Sequence, residues 1–428
     1  MTSEPEAADI DFTRIVRPGD HVVVQTGTGE PQSLTRALLE QRHRIGPFTL
    51  VVNALQADVI RADRLDGVRV LGTGAVGKGR TLTRAGVMDV LPVHYFELMK
   101  LIQTGRLPVD VYLMQLAPAA SGGGGVSYGT IYDWQPEVFA KARTVVAEMN
   151  AGMPWTNCGG DTPPPGRLDH VADASYRLPQ VAPATFGEVE RRIAGYVSEL
   201  VPDGAVIQIG VGAIPDAVLD GLKTRRRLGI HSALLTDAIV ELVEAGAVTG
   251  ETKPIDTGKM VAGLLFGTDR LYRFVDGNPD LLMRPIRYTH APATMARFDT
   301  FVTINTGVEV DLTGQVNAEM AGGDYVGGVT GLVDYVRGAR VAANGRSIIA
   351  LTSTARTRSG TISRIQARLP AGVVTIARSD IDTVVTEHGV AELLGQPLQE
   401  RMRRMIAVAH PEFREALERE AHGLLRQT

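Results

Sequence analysis

The sequence predicts an α/β protein built on mainly parallel sheets and divided into two domains, on three observations. The chain has 428 residues, more than one hydrophobic core usually supports, so two domains of roughly 200 residues are the natural division. Short β-branched runs alternate with segments of helical period, the pattern that βαβ units leave in a sequence. A strand, glycine turn and helix near the start also recur near the middle: Gly19-Asp20 to Gly27-x-Gly29-x-Pro31 resembles Gly204-Ala205 to Gly210-x-Gly212-x-Ile214-Pro215. That repetition suggests an internal duplication.

Taken in order, residues 2–13 form a loose lead-in, and His21–Gln25 is a strand ended by the turn Gly27–Pro31. Ser33–Gln41 has Leu34, Ala37 and Leu38 on one side, as a helix requires. Strands follow at Phe48–Asn53, Val68–Leu71, Val109–Leu116 and Val145–Met149. Between the last two, Ser121–Gly129 is too glycine-rich for an element interior; it is either a surface loop or backbone that a ligand approaches closely. Gln180–Ala184 is the candidate linker, because helical period resumes over Phe186–Leu200. The predicted domains are therefore 1–183 and 184–428.

In the second half, Ala205, Val206, Ile207 and Ile209 make a short buried strand, and Gly210-Val211-Gly212 follows where the chain must turn. A turn at the carboxyl end of a parallel strand is where α/β sheets bind ligands, and the helix opened by Ile214-Pro215-Asp216 offers free N–H groups to an oxyanion or phosphate. An ordinary tight βα turn has the same look. The turn is not a Rossmann fingerprint, since Pro215 stands where the third glycine belongs, and it lacks the Gly-Lys-Ser/Thr of a P-loop. Further strands are expected at Phe301–Asn305, Ser347–Leu351 and Val373–Thr375. Gly322–Gly331 is a second glycine-dense loop, Ser353-Thr354-Ala355 ends a strand at a ligand-facing edge, and Leu398–Arg426 is a charged amphipathic cap.

Composition narrows the function classes. Apolar residues make up 44% and glycines number 47, the balance of a globular protein with many tight turns. A formal net charge of −4 gives no general reason to expect nucleic acid or membrane binding. Cys158 is the single cysteine, which rules out an intrachain disulfide and suits a reducing cytoplasm. Met1–Asp11 is acidic and polar, unlike a signal peptide, and no apolar run approaches the ~20 residues of a membrane helix.

Several phrases carry a family resemblance: Val310–Glu319, Val333–Ala339, Ser363-Arg364-Ile365, Val384–Ala391 and Ile406–Arg414, with Gly29-Glu30-Pro31 and Leu107–Val111 earlier. Together they resemble the acetyl-CoA hydrolase/transferase family, and within it the 4-hydroxybutyrate and butyrate CoA-transferases. The resemblance implies two similar open α/β domains with the active site in the cleft between them. It implies acyl-CoA as substrate, a carboxylate or other acyl acceptor, no metal, and a homodimer or higher oligomer. It also implies a catalytic glutamate that attacks the thioester and passes CoA through a glutamyl-CoA intermediate.

At that point the chain departs from the pattern. The family phrase resembles Gly-Ile-His-Ser-Glu, and here Gly229-Ile230-His231-Ser232 is followed by Ala233. A methyl group is no nucleophile. If Ala233 replaces a glutamate by laboratory substitution, the protein is a CoA-transferase; if it is natural, the lineage hydrolyses acyl-CoA, transfers acyl groups directly, or binds CoA esters without turnover. Leu332 in place of a polar glutamine and the altered Ser121–Gly125 segment favour natural divergence. His231 is then a candidate general base and Glu319 a candidate acid or loop-orienting group, each with a packing role as the alternative. The resemblance places oxyanion or CoA contacts at Gly210, Val211, Gly212, Gly327, Gly328, Gly331 and Arg337.

Overall fold

The computed structural model describes residues 5–119 and 125–425; all but Gly125 of the predicted Ser121–Gly125 segment lies outside them. The first half forms a seven-stranded sheet from β1 (His21–Val24), β2 (Phe48–Val52), β3 (Val68–Gly72), β4 (Met88–Val90), β5 (Val111–Leu116), β6 (Thr144–Asn150) and β7 (His170–Ala174). Its order is β4-β3-β2-β1-β5-β6-β7, and every pairing is parallel. β2 and β5 are buried along their whole length, as strands covered on both faces must be. Helices α1 (Gln32–Ile45), α2 (Gly79–Arg84) and α3 (Tyr95–Gln103) follow β1, β3 and β4.

The second half begins with α4 (Glu188–Glu199), then β8 (Val206–Ile209), α5 (Ala213–Gly221), β9 (Gly229–Ile230), β10 (Phe301–Thr306), α6 (Leu332–Val341) and β11 (Arg346–Ala350). A hairpin of β12 (Thr354–Thr357) and β13 (Gly360–Ser363) leads to β14 (Thr383–Thr386) and β15 (Gly389–Glu392). The second main sheet has the order β15-β14-β11-β10-β8-β9, parallel except for the edge strand β15. In each sheet the chain winds first one way and then the other: from β1 and β5 in the first, from β8 and β10 in the second. Ligand crevices open at such reversals, outside the carboxyl ends of the strands.

One expectation needs correction. Val373–Thr375 is not a strand: Val374 is 44% exposed, and Thr375 uses its hydroxyl to hold Ala318 and Glu319. The strand of that region is β14, eight residues later. The closing segment is two helices, α7 (Leu398–Ala407) and α8 (Pro411–Leu425), broken where Pro411 opens the second.

Close contacts join the halves along a seam. Ala75 donates its N–H to Gly327 O (2.8 Å), Tyr95 to Thr330 O (3.0 Å), Tyr132 to Gly263 O (2.7 Å) and Leu265 to Thr130 O (3.0 Å). The first sheet reaches this seam through turns that leave its carboxyl ends.

One carboxylate fixes the start of α1. Pro31 offers no side-chain cap, and Glu148 of β6 takes that role, accepting the Leu34 N–H at 3.2 Å together with the hydroxyls of Ser33 and Tyr176. Burial pushes Glu148 up to about 7 from 4.5. A folded pKa above the unfolded one favours the protonated form, so this contribution to stability is complete below 4.5 and is lost as pH rises through 7. Glu148→Gln, which does not titrate, should cost about 1–3 kcal/mol at acidic pH. The difference between the two proteins should shrink as pH rises across that window in a series of urea denaturations.

Candidate active site

The turn Gly210-Val211-Gly212 leaves the carboxyl end of β8 at the reversal of the second sheet. Gly210 donates its N–H to Ile304 O at 3.0 Å, which holds the turn against β10. Gly212 has φ +120°, a conformation open almost only to glycine, and it caps α5 with no side chain at the helix start. Val211 between them is 43% exposed. The turn therefore presents backbone to solvent at a helix N-terminus.

Beneath it, the buried side-chain amides of Gln208 and Asn305 pair reciprocally, at 3.1 and 2.9 Å. One strand over, Ser232 donates its hydroxyl to Ile209 O at 3.2 Å. The register that pairs Val206 with Gly229 and Ile207 with Ile230 puts Ala233 level with Gly210. Ala233 is half-buried and accepts the N–H groups of Gly263 (3.0 Å) and Leu264 (2.9 Å) at its carbonyl. Further along the same edge, Arg364 donates to the carbonyls of Val308 (2.6 Å) and Gly307 (2.8 Å) and to the Thr352 hydroxyl (2.9 Å). Ser353 donates its N–H and hydroxyl to Glu387 at 2.9 and 2.5 Å. Residues following β8, β9, β10, β11 and β14 thus line one edge.

Other expected site residues lie elsewhere or are already occupied. His231 is fully buried, with Nε2 3.0 Å from Thr289 O and its ring centroid 4.9 Å from Phe298, 6.0 Å from Tyr288 and 6.2 Å from Phe301. Burial, with the Lys253 ammonium nearby, depresses it to about 3. Burial disfavours the charged imidazole and closes it to water, so His231 packs the core and is not placed to meet a substrate as general base. Glu319 is 4% exposed, and Thr375 donates its hydroxyl to its carboxylate at 2.7 Å. Its carbonyl gathers the N–H groups of Val326 and Gly327, so Glu319 ties down the base of the 320–328 loop.

That loop explains Gly327, Gly328 and Gly331 through close approach. A methyl on Gly327 would stand 2.3 Å from Ala318 O, and one on Gly331 2.3 Å from His290 Nε2. A methyl on Gly328 would meet Gly74 Cα at 2.8 Å, and a methyl on Gly74 meets Gly328 Cα at the same distance. Arg337, on α6, donates to the Asp380 carboxylate at 2.9 and 3.1 Å. Asp380 lies on the segment entering β14, so this guanidinium is held by a carboxylate; both groups are near enough to His94, just beyond β4, to act on its charge. Cys158 is buried and burial pushes its thiol up to about 11, which leaves it inert. Among the described residues, no group of three or more His, Cys, Asp or Glu is placed to hold a metal.

Sequence reasoning missed the Gln208–Asn305 pair, although a signal was present. Gln208 is the one polar residue in Val206-Ile207-Gln208-Ile209, and a polar side chain within a buried strand needs a specific partner.

Two sheets of parallel strands, with a glycine turn at the reversal of the second, define an α/β protein of the doubly wound kind, and comparison with known proteins gives its family. Residues 6–167 match the acetyl-CoA hydrolase/transferase N-terminal domain and residues 267–421 the C-terminal domain, so the chain belongs to the acetyl-CoA hydrolase/transferase family. It is 37% identical to a 4-hydroxybutyrate coenzyme A transferase of Clostridium kluyveri over 88% of this chain and 91% of that protein. It is 35% identical to a succinyl-CoA:cyclohexane-1-carboxylate CoA transferase of Geobacter metallireducens over 97% and 95%. Among solved structures, RipA from Yersinia pestis superposes with a TM-score of 0.90 at 29% identity over 98% of both chains. A 4-hydroxybutyrate CoA-transferase from Porphyromonas gingivalis gives a TM-score of 0.78 at 31% identity, over 97% of this chain and 95% of that one. The glycine turn and Ala233 fall between the two matched domains.

The Gly74–Gly328 contact yields a test of the seam. Gly74→Ala and Gly328→Ala should each cost about 1–3 kcal/mol, because backbone rather than a flexible side chain must move. Combined, they should cost less than the sum, since the first methyl opens the space that the second enters. A double-mutant cycle by chemical denaturation reads the coupling.

Proposed function

We propose that this chain acts on acyl-CoA thioesters in the crevice between its two α/β halves, which divide near residues 183 and 184. The observation that carries this reading is the exposed Gly210–Gly212 turn, set at the sheet reversal and opening the uncapped N-terminus of α5. A thioester carbonyl placed against those amides gains stabilisation as its oxygen turns into an oxyanion. When a nucleophile adds to the carbonyl carbon, the C–S bond breaks and CoA departs as the thiolate.

The named relatives transfer CoA, and the resemblance puts their glutamate at Ala233. With a methyl group there, no glutamyl-CoA forms on this chain. The reading is therefore a single displacement, in which water or an acceptor attacks the bound acyl-CoA directly, with the long CoA moiety supplying the binding energy that aligns the reacting atoms. Restoring a carboxylate at this position makes a two-step CoA-transferase, which is also the activity expected of the protein if Ala233 is a laboratory replacement. The acceptor is a carboxylate or another nucleophile, the assembly a homodimer or larger, and the compartment the cytoplasm.

The test pairs the protein with Ala233→Glu and follows short acyl-CoAs and free carboxylates by mass spectrometry. The expected outcome is acyl-CoA consumption without CoA exchange by the protein itself, and exchange with a trappable enzyme-bound thioester in the variant. Equal exchange by both proteins would show that the nucleophile lies elsewhere. Absence of acyl-CoA binding by calorimetry would overturn the reading as a whole.

A further inference from the structure

Lys253 is a cation shut inside the protein. It is 1% exposed, and its ammonium donates to the carbonyls of Ile230 (3.0 Å) and Lys259 (2.6 Å). Its stem crosses β9 where that strand has no side chain: a methyl on Gly229 would stand 2.7 Å from Lys253 Cγ. Burial pushes the amine down to about 8, and Asp256, the carboxylate that acts on it from the same loop, accepts the Tyr288 hydroxyl at 2.7 Å. The folded protein therefore holds this proton less tightly than an unfolded chain does, so the charge costs stability below pH 8, and that cost fades as pH rises to 10.5. A methionine would fill much the same space without the charge. What it could not do is bond two carbonyls at once.

Those carbonyls open a ribbon that leads to position 233. Ile230 ends β9, and Lys259 precedes the short strand Met260–Ala262. From there the two chains run in parallel: His231 bridges Val261, Ser232 donates its N–H to Val261 O at 3.0 Å, and Ala233 O collects the N–H groups of Gly263 and Leu264. Leu234 and Leu235 continue the pairing with Leu264 and Leu265. The Ser232 hydroxyl also ties the ribbon to Ile209 O, one residue before Gly210. The lysine clamp thus lies ~10 Å along the strand from Ala233. A slip between the chains at Ile230 and Lys259 would be carried to residue 233 and, through Ser232, to the glycine turn. Misplacement of reacting groups by ~1 Å costs about a hundredfold in rate.

We propose that Lys253 is a positioning residue for the reaction of this site: by holding Ile230 and Lys259 together, it fixes position 233 against the Gly210–Gly212 turn. The inference rests on the acyl-CoA reading above. Closed off from solvent, the ammonium acts through the ribbon and not on the ligand.

The experiment places K253M and K253Q in the parent and in Ala233→Glu, and measures turnover of short acyl-CoAs, CoA exchange, acyl-CoA affinity by calorimetry and thermal midpoints, with every assay run well below the midpoint. K253M should lower kcat by roughly tenfold or more in a background that turns over, while KM and Kd for the acyl-CoA change by less than about twofold. K253Q, whose amide keeps two N–H donors, should recover part of kcat, and it carries the comparison with the parent if K253M does not fold. Unchanged kcat in the folded variants overturns the inference and leaves the acyl-CoA reading standing. A fall in kcat matched by an equal fall in acyl-CoA affinity overturns it in favour of a packing role. A parent that binds no acyl-CoA overturns both, as does turnover by neither the parent nor Ala233→Glu.

Discussion

At the centre of one stretch of the seam, two backbones meet with no side chain between them. Gly74, just beyond β3, and Gly328, in the loop that Glu319 anchors, approach so closely that a methyl on either would collide with the other's Cα. That approach lets Ala75 bond Gly327 and brings Thr330 within reach of the Tyr95 N–H. Thr330 holds φ 45°, a left-handed conformation that disfavours a β-branched residue and is kept because its carbonyl has a fixed partner across the seam. Main-chain atoms thus set this stretch of the seam, flanked by side-chain bonds from Arg84 to Asp324 and from the Phe96 N–H to Asp334.

The polar groups near the strand ends divide into those that hold structure and those free to meet a ligand. Glu148, Glu319 and His231 are buried and engaged. The Gly210–Gly212 backbone faces outward. The chemistry proposed for this edge would draw on main-chain amides and on whatever charge the ligand brings, with Arg364 stiffening the connection between strand ends.

Much of this was legible in the sequence. Alternating β-branched and helical segments give the two parallel sheets, and the repeated strand-turn-helix marks the central strands β1 and β8. The turn at Gly210 was found because glycine spacing after a β-branched run is a local signal. What escaped depends on distant partners. Gly327, Gly328 and Gly331 form a glycine cluster whose reason lies in Ala318, Gly74 and His290, none of them predictable from spacing. His231 looked poised for proton transfer, and only the ring of Phe298, Tyr288 and Phe301 around it shows why it stays neutral. Val373–Thr375 has strand composition, yet the hydroxyl of Thr375 is spent on Ala318 and Glu319. Arg337 could be recognised as a family cation, but its orientation follows from the direction of α6.

The reciprocal amide pair of Gln208 and Asn305 carries one more consequence. Two carboxamides joined donor to acceptor bear no net charge and do not titrate, so the spacing between β8 and β10 at the crevice floor is indifferent to acidity. The floor also brings no counter-ion that an anionic guest would have to displace. A response of this region to pH must therefore originate outside the pair, which keeps the same form throughout.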